Sequence, residues 1–164
     1  MTTKTYKVKF RRRREEKTNY SKRLALVRYG KQRLVVRKTN KAIYLQVIAF
    51  DRHGDKVITQ ANSRELEKFG WKKAKRNTPS AYLAGLLCGV RAKNKNVSEC
   101  ILDIGFNSPI LGGICFAALK GALDAGLKIP FEEKCLPTKE RVYGHHVDKS
   151  LKAEIEKIKQ EIMG

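Results

Sequence analysis

The sequence predicts an α/β domain built on a single mixed sheet with helices packed on it, a basic arm ahead of the sheet and a helix behind it. Three observations carry that prediction. Between residues 33 and 61, three short runs rich in Val, Ile, Tyr and Phe are separated by compact turn signals, the pattern of an antiparallel meander. Further on, an apolar stripe at helical spacing leads into another strand-like run and a second helix, which adds a βα crossover strand to the sheet. A chain of 164 residues with 41% apolar content is long enough and greasy enough to bury one core of this kind.

In order along the chain, Arg33–Arg37 is the first strand and Ala42–Asp51 the second. Lys38-Thr39-Asn40-Lys41 joins them as a tight turn in which Asn40 tolerates positive φ. On the second strand Ile43, Leu45 and Val47 share one face, and Tyr44, Gln46 and Ile48 the other. Both faces hold apolar residues, so each is expected to be at least partly covered. Arg52-His53-Gly54-Asp55 turns the chain into a third strand, Lys56–Ala61. Asn62-Ser63-Arg64-Glu65 starts a short helix that ends at Gly70.

Thr78-Pro79 reads as a cap followed by Pro at the first helical position. Leu83, Leu86, Leu87 and Val90 then form a buried stripe. Ala81, Gly85 and Gly89 repeat at spacing four on a neighbouring face, where close approach to the sheet is expected. Val97–Asp103 is the fourth strand, and Gly112-Gly113 opens an Ala- and Gly-rich helix that closes at Gly126. Pro130 and Pro137 bracket an irregular stretch. Leu151, Ile155, Ile158 and Ile162 make a narrow seam on a last helix thick with Lys and Glu, expected to pack on its own domain rather than on a neighbour.

The charge is unbalanced: 36 Lys and Arg against 16 Asp and Glu leave a net +20. Residues 1–41 hold 16 basic and 2 acidic side chains, so most of the excess lies in the first quarter of the chain. This excludes an ordinary small-molecule enzyme surface as the default and points to a polyanion partner. Arg11, Arg12, Arg13 and Arg14 form a block that no packed element could bury. Lys4, Lys7, Lys9, Lys17, Lys22, Arg23, Arg28 and Lys31 surround it, punctuated by Tyr6, Phe10, Tyr20 and Tyr29. Basic groups interleaved with rings that can stack on unpaired bases suit single-stranded or looped RNA. Anchoring rings on a solvated arm, a nuclear address and a heparin-type patch use the same residues.

Other classes fall on spacing and length. The longest apolar runs, Ala81–Val90 and Ile110–Leu119, are ten residues each, too short to cross a bilayer, and the N-terminus lacks the apolar stretch of a signal peptide. Cys88, Cys100, Cys115 and Cys135 form no C-x-x-C pair, and three lie inside apolar runs as small buried hydrophobes, which fits a reducing compartment. No phosphate-loop pattern accompanies Gly112-Gly113, and His145-His146 lacks spaced partners for a metal. Asp51, Asp55 and Asp103 stand near strand ends, where carboxylates can hold magnesium for a nuclease. Turn capping and salt bridging to the basic excess is the preferred reading of all three.

Particular strings carry a resemblance. Tyr6–Glu15 with Lys17-Thr18-Asn19-Tyr20, then Arg33–Ile43, Glu65–Trp71, Ala81–Leu87 and Ala118–Pro130 strongly resemble the archaeal and eukaryotic forms of large-subunit ribosomal protein eighteen. The similarity runs from about Tyr6 to His146. It implies a ribonuclease-H-like fold without nuclease activity and with no cofactor. It further implies a structural role on the cytoplasmic large ribosomal subunit: binding 5S rRNA, attaching it to 23S rRNA in the central protuberance, and touching neighbouring large-subunit proteins.

The resemblance maps RNA binding onto the arm Lys7–Arg23 and the hairpin Arg33–Gln46. The expected hairpin contacts are Arg33, Arg37, Lys38, Asn40 and Lys41, with Tyr44 and Gln46 on one strand face. Lys72 and Lys73 add a smaller basic cluster. The bacterial branch has a more basic, aromatic loop after the fourth strand; this chain has Ile104-Gly105-Phe106-Asn107-Ser108-Pro109, so base contacts are not expected there. The expected organisation is a basic arm over residues 1–32, disordered without RNA, an α/β core over 33–130, and an extended tail with its helix over 131–164.

Overall fold

The computed structural model describes residues 7–145, 147 and 151–164; Lys4, Tyr6 and His146 lie outside the described residues. Four strands, β1 (Gln32–Lys38), β2 (Ile43–Ala49), β3 (Lys56–Asn62) and β4 (Cys100–Asp103), form one sheet in the order β3-β2-β1-β4. The meander is antiparallel, with Val36 opposite Leu45 and Leu45 opposite Ala61. β4 joins β1 in parallel, with Leu34 opposite Leu102 and Val35 opposite Asp103. The fourth strand is shorter than predicted: Val97 to Glu99 lead into it, and Glu99 makes only an isolated parallel bridge to Lys128.

The first hairpin turn closes differently from the expectation. Thr39, not Asn40, is its organiser: its Oγ1 donates to the Ala42 carbonyl at 2.8 Å and accepts from the Ala42 N–H at 3.1 Å. Among the described non-glycine residues only Glu16 and Asn96 have positive φ.

One face of the sheet is sealed. Leu34 and Val36 of β1 and Ile43, Leu45 and Val47 of β2 are fully buried beneath α3 (Thr78–Lys93) and α4 (Ile114–Asp124). The α3 cap lies one residue earlier than predicted. Asn77 is the N-cap, its side chain accepting from Ser80 N–H at 2.9 Å while Ser80 Oγ accepts from Asn77 N–H at 3.1 Å. This reciprocal pair satisfies two otherwise orphaned donors. Pro79 then falls within the first turn, where a missing N–H costs nothing.

The small-residue stripe on α3 meets another helix, contrary to the expected approach to the sheet. Gly85 lies against the Ala118 backbone of α4, and Gly121 of α4 lies against the Tyr82 carbonyl of α3. A Cβ at either position would overlap backbone atoms of the partner helix. The stripe fits helix pairing in water as it would in a membrane, because the requirement is close approach and not solvent.

Beyond α4 the chain is more regular than an extended tail. A 3₁₀ turn, Glu133–Cys135, and a short helix α5, Lys139–Val142, lead to α6, Leu151–Met163. The seam of Leu151, Ile155, Ile158 and Ile162 is buried against α3 and the 3₁₀ turn Glu65–Phe69, as the in-domain reading predicted. With the sheet, α4 and α6 around it, α3 is buried on nearly every side, which accounts for its almost wholly apolar composition. Among the described residues no helix is long and apolar enough to cross a membrane.

Candidate nucleic-acid interface

Alternation along β1 and β2 puts Arg33, Val35, Arg37, Tyr44, Gln46 and Ile48 on the face opposite α3 and α4. Residues of the basic arm stand beside that face. The arm is not a featureless charge run. Arg11–Arg14 forms a single helical turn, α1, with all four arginines exposed, and α2 spans Tyr20–Arg28. Asn19 caps α2, its side chain accepting from Lys22 N–H at 3.1 Å. Gly30, at φ +65°, ends it in the left-handed conformation that stops a helix. Capping and good helix formers over Ser21–Arg28 therefore give a helix within the segment for which disorder without RNA is expected. The expectation followed from missing hydrophobic pattern, and indeed α2 buries none of its residues.

A ladder of charges holds the arm against the sheet. Arg23 of α2 donates to Asp55 Oδ1 at 2.9 Å, and Arg33 donates to Asp55 Oδ2 at 2.6 Å. Arg33 also donates to Asp103 Oδ2 at 3.0 Å, and Arg37 donates to Asp103 Oδ1 at 3.2 Å and to the Asp103 carbonyl at 2.8 Å. Asp103 Oδ1 accepts from Gly105 N–H at 2.9 Å, fixing the loop after β4. Four separate pieces of chain meet here: the arm, β1, the turn before β3 and the end of β4.

This arrangement corrects one predicted contact. Arg33 is 3% exposed, with both terminal nitrogens on carboxylates, so it belongs to the packing beneath the surface and cannot reach a phosphate. The carboxylates follow the salt-bridging reading. Asp55 and Asp103 take arginines, and Asp51 pairs with Lys56 at 2.7 Å, which holds its carboxyl below the usual carboxylate range. Placement of two aspartates at strand ends beside a strand carrying two arginines was the signal for the ladder. Sequence alone does not say which carboxylate takes which arginine.

The remaining predicted residues fall into three groups. Lys7, Lys9, Phe10, Lys17, Tyr20, Lys22 and Arg28 are exposed along the arm. The Phe10 and Tyr20 rings lie 5.8 Å apart, so each partly anchors the other. Arg11 and Lys17 both reach Glu15, and Lys31 pairs with Glu99 at 2.6 Å. These exposed pairs contribute little to stability and exchange readily for a phosphate.

Lys38, Asn40 and Lys41 are exposed at the hairpin tip, and Tyr44 is 38% exposed on the strand that follows. Ser63 brings Lys72 and Lys73 to this same end: it accepts from Ile43 N–H at 3.0 Å and donates to the Lys75 carbonyl at 2.7 Å. Lys72 and Lys73 are exposed on the loop so held, which buried Trp71 anchors by donating to the Ala74 carbonyl at 3.2 Å.

Between α2 and this sheet face runs a groove of about 480 Å³ that sequence reasoning did not find. Val35 and Ile48 line its floor, and Gln46 and Arg37 lie beside them. Arg12, Lys17 and Lys22 line it from the arm, and Ile104-Gly105-Phe106 from the loop after β4. Its formation depends on α2 being a helix, the element that the charge pattern concealed.

Comparison with known proteins gives two findings. The family described as "Ribosomal large subunit proteins 60S L5, and 50S L18" matches residues 4–98 and 90–132. The "Large ribosomal subunit protein uL18" of Korarchaeum cryptofilum (strain OPF8) is 52% identical over 142 residues, covering 87% of this chain and 73% of that protein.

Proposed function

Because the chain belongs to the family of ribosomal large subunit proteins 60S L5 and 50S L18, it is a structural, RNA-binding constituent of the cytoplasmic large ribosomal subunit and not an enzyme; from that premise we propose that it binds 5S rRNA and attaches it to 23S rRNA in the central protuberance. One observation carries the reading. The sheet face opposite α3 and α4 is overlain by the cationic arm, which leaves a groove against it, and carries the exposed lysines of the hairpin tip at one end, whereas the other face is sealed by α3 and α4.

The division of labour follows from exposure. Arg11, Arg12, Arg13 and Arg14, crowded into one exposed turn, repel one another, and phosphates relieve that repulsion through paired N–H donors. Lys7, Lys9, Lys17, Lys22 and Arg28 extend the same phosphate-binding strip, joined by Arg23 at the foot of the ladder and Lys31 at the entry to β1. The hairpin end, with Arg37, Lys38, Asn40, Lys41, Tyr44 and Gln46, sits on rigid sheet and sets the register of the complex; Lys72 and Lys73 widen it. Arg33 supports this surface from beneath. That the arm and the hairpin end are separate basic surfaces supports the engagement of two RNAs.

The test is filter binding of the full chain to 5S rRNA, 23S rRNA fragments and a transfer RNA of similar size, each at several salt concentrations. Tighter binding to 5S rRNA than to transfer RNA at every salt concentration is expected. Equal binding to both would remove the 5S assignment.

A further inference from the structure

The groove between α2 and the sheet has a character that phosphate contacts alone do not require. Its floor is apolar: Val35 is 5% exposed and Ile48 9%, and Phe106, half exposed, adds a ring on the wall. Gln46 lies beside this floor with its amide scarcely engaged, its one side-chain hydrogen bond among the described residues being a 3.5 Å approach to Gln60 Oε1. Lys22 of the arm side has no ion pair among the described residues, and Arg12 is bonded through Nε only to the Thr18 hydroxyl, at 2.9 Å. The two carboxylates that line the groove, Asp55 and Asp103, are neutralised by Arg23, Arg33 and Arg37, so they do not repel an anion.

Apolar floor, ring, uncommitted amide and cationic rim together match a nucleotide pulled out of its stack. The volume, about 480 Å³, suits one small-molecule-sized group. A duplex would ride on the rim and leave the floor empty, because its bases stay stacked inside. An acidic peptide would use the cations and leave the Gln46 amide and the Phe106 ring without matched partners.

Resting on the RNA-binding reading above, we propose that this groove receives one unstacked nucleotide of ribosomal RNA. Its base lies on Val35 and Ile48 beside Phe106, its edge meets the Gln46 amide, and its phosphate is held by Lys22 and Arg12. The loop after β4, from which no base contact was expected, thereby becomes one wall of a base site. It serves through one ring and a backbone fixed by Asp103, in place of basic side chains.

The experiment compares the full chain with three variants on whichever of 5S and 23S rRNA the wild-type protein retains. The wild-type result thus judges the 5S assignment and the variant results judge the groove. Ala25→Phe fills the groove from the exposed surface of α2, and Gln46→Leu replaces the amide by an apolar side chain of similar size. Each is expected to weaken binding about tenfold at every salt concentration, leaving the salt slope and the melting temperature as in wild type. Lys22→Ala is expected to make the slope shallower by about one phosphate's worth. RNA substituted with 4-thiouridine should crosslink under ultraviolet light to peptides containing Gln46 or Phe106. Wild-type affinity for both Ala25→Phe and Gln46→Leu, or losses that appear only as a flattened slope with crosslinks confined to residues 7–31, would overturn the assignment.

Discussion

Arg33 donates to Asp103 at 3.0 Å from a side chain only 4% exposed, and the same guanidinium reaches Asp55 at 2.6 Å. The pair joins β1 to the end of β4, and through Asp55 it extends to Arg23 on α2. Removing one member of such a buried pair leaves the other charge short of its partner in a medium that solvates it poorly. The Arg33 Nε already lacks a hydrogen-bond partner among the described residues, so little slack remains.

Asp103→Ala is accordingly expected to destabilise the domain by about 3 kcal/mol, read as a lowered urea midpoint. Arg33→Met in the same background should recover part of the loss, because it removes a buried cation left with one carboxylate, Asp55, in place of two. A double variant no more stable than Asp103→Ala alone would show that the pair is not the source of the effect.

The two helices that cover the sheet meet through glycine. A methyl group at Gly85 would overlap the Ala118 carbonyl, and one at Gly121 would overlap the Tyr82 carbonyl, in both cases rigid backbone within a helix. Gly85→Ala and Gly121→Ala are each expected to cost about 3 kcal/mol or to prevent folding, despite the better helix propensity of Ala. Ala84→Gly, at an equally buried position of α3, should cost only about 1 kcal/mol. Circular dichroism melts would rank the three. Wild-type stability for Gly85→Ala would mean that the helices do not approach as closely as this.

Burial also sets how the protein answers alkali. Burial is the main cause that pushes the Cys88 thiol up to about 12, with Cys100 nearby adding to it, and burial pushes Cys100 up to about 11. In the unfolded chain a thiol ionises near pH 8.5, so above that pH the unfolded state gains by losing protons that the folded state keeps. The stability involved is fully present below about pH 8.5 and is lost as pH rises towards the folded values. At pH 10 each thiol should contribute about 2 kcal/mol of destabilisation. Urea midpoints at pH 7.5, 9 and 10 should fall, and fall less steeply in Cys88→Ala.

What sequence reveals and what it hides divides along physical lines. Strands of the meander and the stripe on α3 are written in side-chain periodicity, and periodicity survives into the fold because burial enforces it. The start of α3 was legible in Thr78-Pro79, although that pair puts the cap one position later than Asn77, whose side chain makes it. α2 was hidden because its helix buries nothing, so its pattern carries no apolar stripe and the surrounding charge dominates the reading. Arg33 was misplaced for a related reason. Arginine in a basic stretch looks like surface until its carboxylate partners are found, and they lie 22 and 70 residues away. The groove inherits both difficulties, being made by a helix and a buried network that only the folded chain brings together.

The C-terminal helix offers a direct check on packing. Ile155 is fully buried in the seam between α6 and α3. Truncation to Ala removes three methyl or methylene groups from that contact and should cost about 2–5 kcal/mol, while Lys157→Ala on the exposed side should stay within about 0.5 kcal/mol. Equal effects from both would place the seam outside the core.

The arm separates stability from binding. α2 buries no residue, and its anchor is the partly exposed Arg23–Asp55 pair, while Asp55 keeps Arg33 when the arm is absent. Removing residues 1–30, a cut placed beyond α2 so that the helix is not severed, should therefore lower the melting temperature by only a few degrees. Binding behaves otherwise. If six to ten phosphates are engaged, rRNA affinity of the full chain should fall by about 10³–10⁵ between roughly 50 and 200 mM salt, and somewhat less on single strands. The truncated protein loses the exposed Arg11–Arg14 turn along with Lys7, Lys9, Lys17 and Lys22, so its affinity should drop sharply and its salt slope flatten. The hairpin end remains and should support weak residual binding that Lys38→Ala and Lys41→Ala reduce further. Full affinity with an unchanged salt slope after truncation would transfer the phosphate contacts from the arm to the sheet domain.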